Sequence, residues 1–80
     1  MDRDLLGRRL AVTERRVGQL KGHVDSQRGV IDALEAAGLG KTETAEIARE
    51  LLGTMEQNLR REIAHRKWLH SQLRVAAAQA

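Results

Sequence analysis

The stretch Leu6–Leu34, LGRRLAVTERRVGQLKGHVDSQRGVIDAL, decides the fold. Within it Leu10, Val17, Val24 and Ile31 recur every seven residues, and Leu6, Leu20 and Leu34 fall on the interleaved line. An α-helix turns once in about 3.6 residues, so a seven-residue apolar repeat gathers into one stripe that another helix must cover. The repeat breaks over Gly38–Lys41 and resumes at Ala45. Two periodic segments of matched length around a short break predict an all-α fold: a two-helix antiparallel coiled-coil hairpin.

The expected boundaries follow from end signals. Asp2 or Asp4 caps the first helix, where acids also suit the positive end of the helix dipole. That helix runs over about residues 3–37, and Gly38 is its left-handed stop. The turn covers 38–42, with Thr42 as the cap of a second helix over about 43–77 and Glu43 and Glu46 in its first turn. The chain is then one domain over 1–80. At about 1.5 Å per residue each helix is on the order of 50 Å long.

Heptad letters sort the rest. On the first helix the a line is Arg3, Leu10, Val17, Val24 and Ile31, and the d line is Leu6, Thr13, Leu20, Gln27 and Leu34. On the second, Ala45, Leu52, Leu59, Arg66 and Leu73 are a, while Ala48, Met55, Glu62, Leu69 and Ala76 are d. The e flanks then meet with opposite charges, Lys21 or Arg28 with Glu56 and Glu35 with Arg49, as a paired hairpin requires. Thr13, Glu14, Glu62 and Arg66 read as one polar layer, a device that can fix register at some cost in stability.

The opposite flank, shared by the c and g positions of both helices, carries a second apolar set: Leu5, Val12, Val30, Ile47, Leu51, Trp68 and Val75. Single surface hydrophobes are ordinary. These align on both helices, with Leu5 facing Val75, Val12 facing Trp68 and Val30 facing Leu51. Contiguous apolar surface of this kind marks a protein interface. A homodimer closing into a four-helix bundle is the expected assembly, or docking on a larger protein partner. Five glycines inside the helices, Gly7, Gly18, Gly22, Gly29 and Gly53, cost about 1 kcal/mol each relative to Ala and add to the need for outside support.

Composition sets outer limits. The chain has no Cys, Pro, Tyr or Phe and a single Trp. Disulfide staples and thiolate metal sites are thereby excluded. Eighty residues in one hairpin bury a thin core, a size at which oligomerisation is a common remedy. The start, Met1-Asp2-Arg3-Asp4, lacks the apolar core of a signal peptide. No run approaches the roughly 18 apolar residues of a membrane span. A soluble, cytoplasmic protein with no membrane association is the expectation.

Several fragments imitate chemical motifs. Gly40-Lys41-Thr42 resembles the end of a phosphate-binding loop, but Glu35 stands where the first glycine belongs and no strand precedes it. Glu62-Ile63-Ala64-His65 is an E-x-x-H, and with Glu14 opposite it sketches a di-metal bundle site; Arg66 beside it competes for the carboxylates. That leaves a metal-binding bundle as a remote alternative, with no metal ligand or cofactor assigned. His23, His65 and His70 do not cluster in the sequence, and no serine or threonine has a visible acid–base partner, so no catalytic residue is assigned and no enzyme is expected.

Charge is polarised along the hairpin. Residues 1–23 and 58–80, the open end, carry a net charge of +7, and residues 24–57, the turn end, a net −4. Arg8, Arg9, Arg15, Arg16, Arg60, Arg61 and Lys67 are candidates for contact with nucleic acid or an acidic partner. Antiparallel self-association also uses the polarity, by laying each basic end beside an acidic one. Self-association is preferred on that electrostatic ground, and only Trp68 could stack on bases.

One resemblance is carried by Gln27-Arg28, Ile31, Leu34-Glu35 and Gly38, then Thr42, Ala45, Leu51-Leu52, Thr54-Met55-Glu56 and Leu59, then Ala64-His65-Arg66, Leu69 and Leu73. Over about two thirds of its length the chain resembles a group of short, uncharacterised helical-hairpin (coiled-coil) proteins common in alphaproteobacteria. The resemblance implies shape and a bacterial lineage, and it transfers no functional residue. In architecture alone the chain is also similar to small RNA-binding hairpins that dimerise into four-helix bundles. The functional expectation is therefore a non-catalytic protein–protein interaction module: a self-assembling adaptor or a small accessory subunit of a larger complex. The alternative is a nucleic-acid-binding regulator.

Overall fold

A computed structural model of the chain describes residues 2–79. Two helices, α1 (Arg3–Ala36) and α2 (Glu43–Ala78), pack along each other as an antiparallel hairpin measuring 60 × 14 × 13 Å. Each helix ends within one residue of its expected limits. Asp2, rather than Asp4, caps α1: its carboxylate accepts from the Asp4 amide at 3.3 Å.

The turn uses the stop and start signals together. Gly38 has φ +76, a conformation that costs other residues about 1–2 kcal/mol. Its N–H donates to the Glu35 carbonyl and the Leu39 N–H to that of Leu34, so two of the last carbonyls of α1 are satisfied. Thr42 accepts from the Ala45 amide at 3.3 Å through its hydroxyl, which also donates to the Leu39 carbonyl at 2.6 Å. Arg49 then ties the turn to both helices, donating to the Gly40 carbonyl at 2.8 Å and to Glu35 at 3.3 Å. Gly40 is held close: a Cβ there would stand 3.1 Å from the Glu35 Cγ.

The core is the seam between the helices. Leu6, Val17, Val24 and Ile31 of α1 and Ala45, Ala48 and Leu69 of α2 are its buried apolar residues, with Thr13 buried among them. Every other a or d residue except Arg3 is half-buried. A single facing helix covers only one side of each seam residue, which is why burial is partial. Toward the turn the seam narrows to alanines, and there the Gln27 side chain reaches across to donate to the Ala48 carbonyl at 2.9 Å. A polar residue on the apolar line thus satisfies its amide on the opposite backbone.

The polar layer departs from expectation. Thr13 is buried, but Glu14, Glu62 and Arg66 do not meet around it. Glu62 lies 3.7 Å from Arg16 and Glu14 lies 3.8 Å from His70, on opposite flanks. Arg66 forms no ion pair among the described residues and lines an open cleft with Ile63, Lys67, His70 and Arg74. The cause is its long stem, which lets a guanidinium leave a seam position for water rather than remain desolvated.

Candidate interaction surface

Two flanks leave the seam, and they differ in chemistry. The e flank is charged and cross-linked. Arg28 meets Glu56 at 3.0 Å, so Arg28 rather than Lys21 takes that carboxylate, and Arg49 meets Glu35 as expected. With Glu14 and His70, three e-to-e contacts span the two helices in one register, since the paired residue numbers share one sum. All three are substantially exposed pairs of the kind that contribute roughly 0–1 kcal/mol apiece. They fix which way the hairpin faces more than how stable it is.

The c/g flank has no such cover. Six of the seven residues assigned to it are exposed: Val12, Val30, Ile47, Leu51, Trp68 and Val75, by 37 to 57 %. Leu5 departs from the set in being half-buried, one turn of helix before Arg9 at the frayable end of the seam. Trp68 stacks nearly parallel on His65 with ring centroids 6.0 Å apart, which holds the indole against α2 with an open outer face. Leu39 in the turn is also exposed, by 46 %. It sits off the heptad, so periodicity could not find it.

The basic candidates do not form one patch. Arg8, Arg9 and Arg16 line an open cleft with Val12, Thr13 and His65. Arg16 and Arg61 line the next cleft with Leu20, Asn58, Glu62 and His65. Arg60 instead lines a cleft on the e side with Lys21, Asp25, Arg28 and Glu56, and Lys67 lines the α2 cleft around Arg66. Arg15 lines none of these clefts. The heptad explains most of the division: Arg9, Arg16 and Arg61 are g or c residues, whereas Arg60 and Lys67 are b and Arg15 is f; Arg8, also f, nonetheless lines the cleft of Arg9 and Arg16.

The acids divide as well. Asp25, Asp32, Glu35, Glu46 and Glu56 are on b or e and Glu43 and Glu50 on f, so the acidic turn end is presented away from the c/g flank. The acidic turn end and the apolar flank are consequently features of different faces, whereas part of the basic open end, Arg9, Arg16 and Arg61, shares that flank. Glu14 and His65 also lie on different flanks, so the residues of the sketched di-metal site are not brought together. Among the described residues no three His, Asp or Glu side chains converge as a metal centre would need. Also among them, no helix is long and apolar enough to cross a membrane. No family model matches the chain, and no curated protein or solved structure is significantly similar to it.

Proposed function

We propose that the chain is a non-catalytic protein–protein interaction module that works through the c/g flank of its hairpin. The observation that carries this is the row of large apolar side chains left exposed on one side of both helices while the opposite side is closed by ion pairs. Isolated hydrophobes need no explanation, but two clusters of them aligned on one side of both helices do. Self-assembly into a four-helix bundle and attachment as a small accessory subunit both use this surface. The clefts at the open end are shallow grooves between helices, suited to side chains of another protein.

Replacing Leu51 and Trp68 together by Glu tests the proposal. Wild-type chain is expected to sediment above its monomer mass, or to co-purify with a partner from its native cells, at micromolar concentration. The double variant loses that assembly. Identical behaviour of the two proteins refutes the interface.

Nucleic-acid binding through the basic open end is the second reading, favoured by the clefts that Arg8, Arg9 and Arg16 line. It predicts an affinity for duplex DNA or RNA whose logarithm falls linearly with the logarithm of salt, one unit of slope for about each phosphate engaged.

A further inference from the structure

We infer that the occupant of the c/g flank is one acidic amphipathic helix of another protein, which completes a three-helix bundle with α1 and α2; this rests on the flank being an interface. The flank has three zones along the rod. Val12, Trp68 and Val75 are apolar at the open end, and Val30, Ile47 and Leu51 at the turn end. Between them the c and g rows carry Arg16, His23, Arg61 and His65 with Gln19 and Asn58. The chain has 11 Asp and Glu, yet no c or g position within either helix holds one. Glu62, a seam residue, is the carboxylate that borders the central groove, and Arg16 stands beside it. The two clefts there join through Arg16 and His65 into one interhelical groove.

This charge pattern selects among occupants. A second copy related by a two-fold axis and fully overlapped, parallel or antiparallel, sets the middle zone against itself. Arg16 and Arg61 then confront the same arginines, with Glu62, already beside Arg16, as the carboxylate bordering each face, and like charges across an interface cost affinity. Nucleic acid satisfies the arginines but leaves Ile47, Leu51 and Trp68 against a polar backbone, whereas such interfaces are polar throughout. A helix with apolar residues toward both ends and Asp or Glu at its centre meets all three zones. It lies along the groove as the third helix of a bundle.

The full chain is titrated with a tryptophan-free synthetic peptide of about 28 residues, roughly 42 Å as a helix. The peptide carries Leu on its heptad seam and Glu beside it in the central turns; a twin has Lys for each Glu. Trp68, the chain's single Trp, reports binding by its emission. The Glu peptide is expected to bind at least about tenfold tighter than its twin. An Arg16→Glu, Arg61→Glu variant that keeps wild-type helicity is expected to invert that preference. Ile47→Ser with Leu51→Ser is expected to weaken binding of the Glu peptide. Equal binding of both peptides, weakened in the serine variant, overturns the acidic partner while the apolar interface survives. Charge-selective binding that the serine variant leaves unchanged overturns the interface itself. A Glu peptide that does not bind overturns the inference, and a wild-type dimer in sedimentation then names a second copy as the occupant. Tighter binding of a duplex DNA of about 20 base pairs than of the Glu peptide also overturns it.

Discussion

Truncating Leu69 to Ala separates the seam from the outer flank in one measurement. Leu69 has no exposed surface (0 %) and stands at the open end of the seam, where Leu6 is also buried. Deleting a buried leucine side chain costs 2–5 kcal/mol, and a thin hairpin can partly collapse around the gap, so about 3 kcal/mol is expected. Eighty residues at 0.05–0.15 kcal/mol each give a total stability of about 4–12 kcal/mol. One seam leucine is therefore a quarter or more of the whole. At about 4–8 °C per kcal/mol for a domain of this size, the melting temperature falls by about 12–24 °C. Ile47→Ala is the control. Ile47 is 57 % exposed on the c/g flank, and Ala is the better helix former, so the isolated hairpin should change by less than about 0.5 kcal/mol. Thermal melts followed by circular dichroism at two protein concentrations, tenfold apart, make the distinction. A defect in the hairpin is independent of concentration, and a defect in assembly is not. If Ile47→Ala costs as much as Leu69→Ala at the lower concentration, seam and flank have been exchanged.

Further outcomes follow from the ion pairs and the glycines. A double-mutant cycle on Arg28 and Glu56 should give a coupling of about 0.2–1 kcal/mol that shrinks as salt rises, because both side chains are partly exposed; a coupling above about 2 kcal/mol would show that the pair is far drier than its geometry implies. Arg66→Leu and Glu62→Leu should each leave the melting temperature within a few degrees or raise it, since neither residue is the other's partner; strongly non-additive effects in the double variant would restore the polar layer. Gly22→Ala should stabilise by about 0.5–1 kcal/mol, as a Cβ there meets open space, while Gly38→Ala should destabilise by about 1 kcal/mol through its positive φ. Denaturant midpoints read both, and the same sign for the two would contradict the turn geometry.

The hairpin was legible because a heptad encodes burial directly. Leu6, Val17, Val24, Ile31 and Leu69 are buried as their letters require, and the Gly38 and Thr42 signals mark the turn. The e-flank partners followed from sign and register, with one ambiguity, Lys21 against Arg28, that the observed register decided. Where the letters misled, a long polar side chain was at issue. Arg66 occupies a seam position by count, but its guanidinium goes to solvent, so the layer with Glu62 never forms. Gln27 shows the reverse: a polar residue on the seam that finds the Ala48 carbonyl. Periodicity states where a Cβ points and says nothing of where the end of a flexible chain finds a partner. The seven basic candidates were grouped by their place along the rod. Their division around the rod needed the same letters applied to charge, and with it the c/g rows emerge free of acids.

The interior glycines bear on why such a hairpin would need company. Gly7, Gly18, Gly22, Gly29 and Gly53 all face open space, with no atom within 4 Å of a Cβ placed there. No packing inside the hairpin requires them, and their combined cost of about 5 kcal/mol is comparable with the lower estimate of the whole chain's stability. They occupy e, b and f positions, away from the c/g flank, so close approach of a partner to that flank does not require them either. A hairpin weakened at sites irrelevant to docking has a folded fraction that responds to whatever binds it. A ligand at a hundred times its dissociation constant adds about 2.7 kcal/mol to stability, which offsets about half of that glycine cost. On the proposed reading, occupation of the flank and retention of the fold are thus one equilibrium, and the unaccompanied chain is the species most open to unfolding and proteolysis.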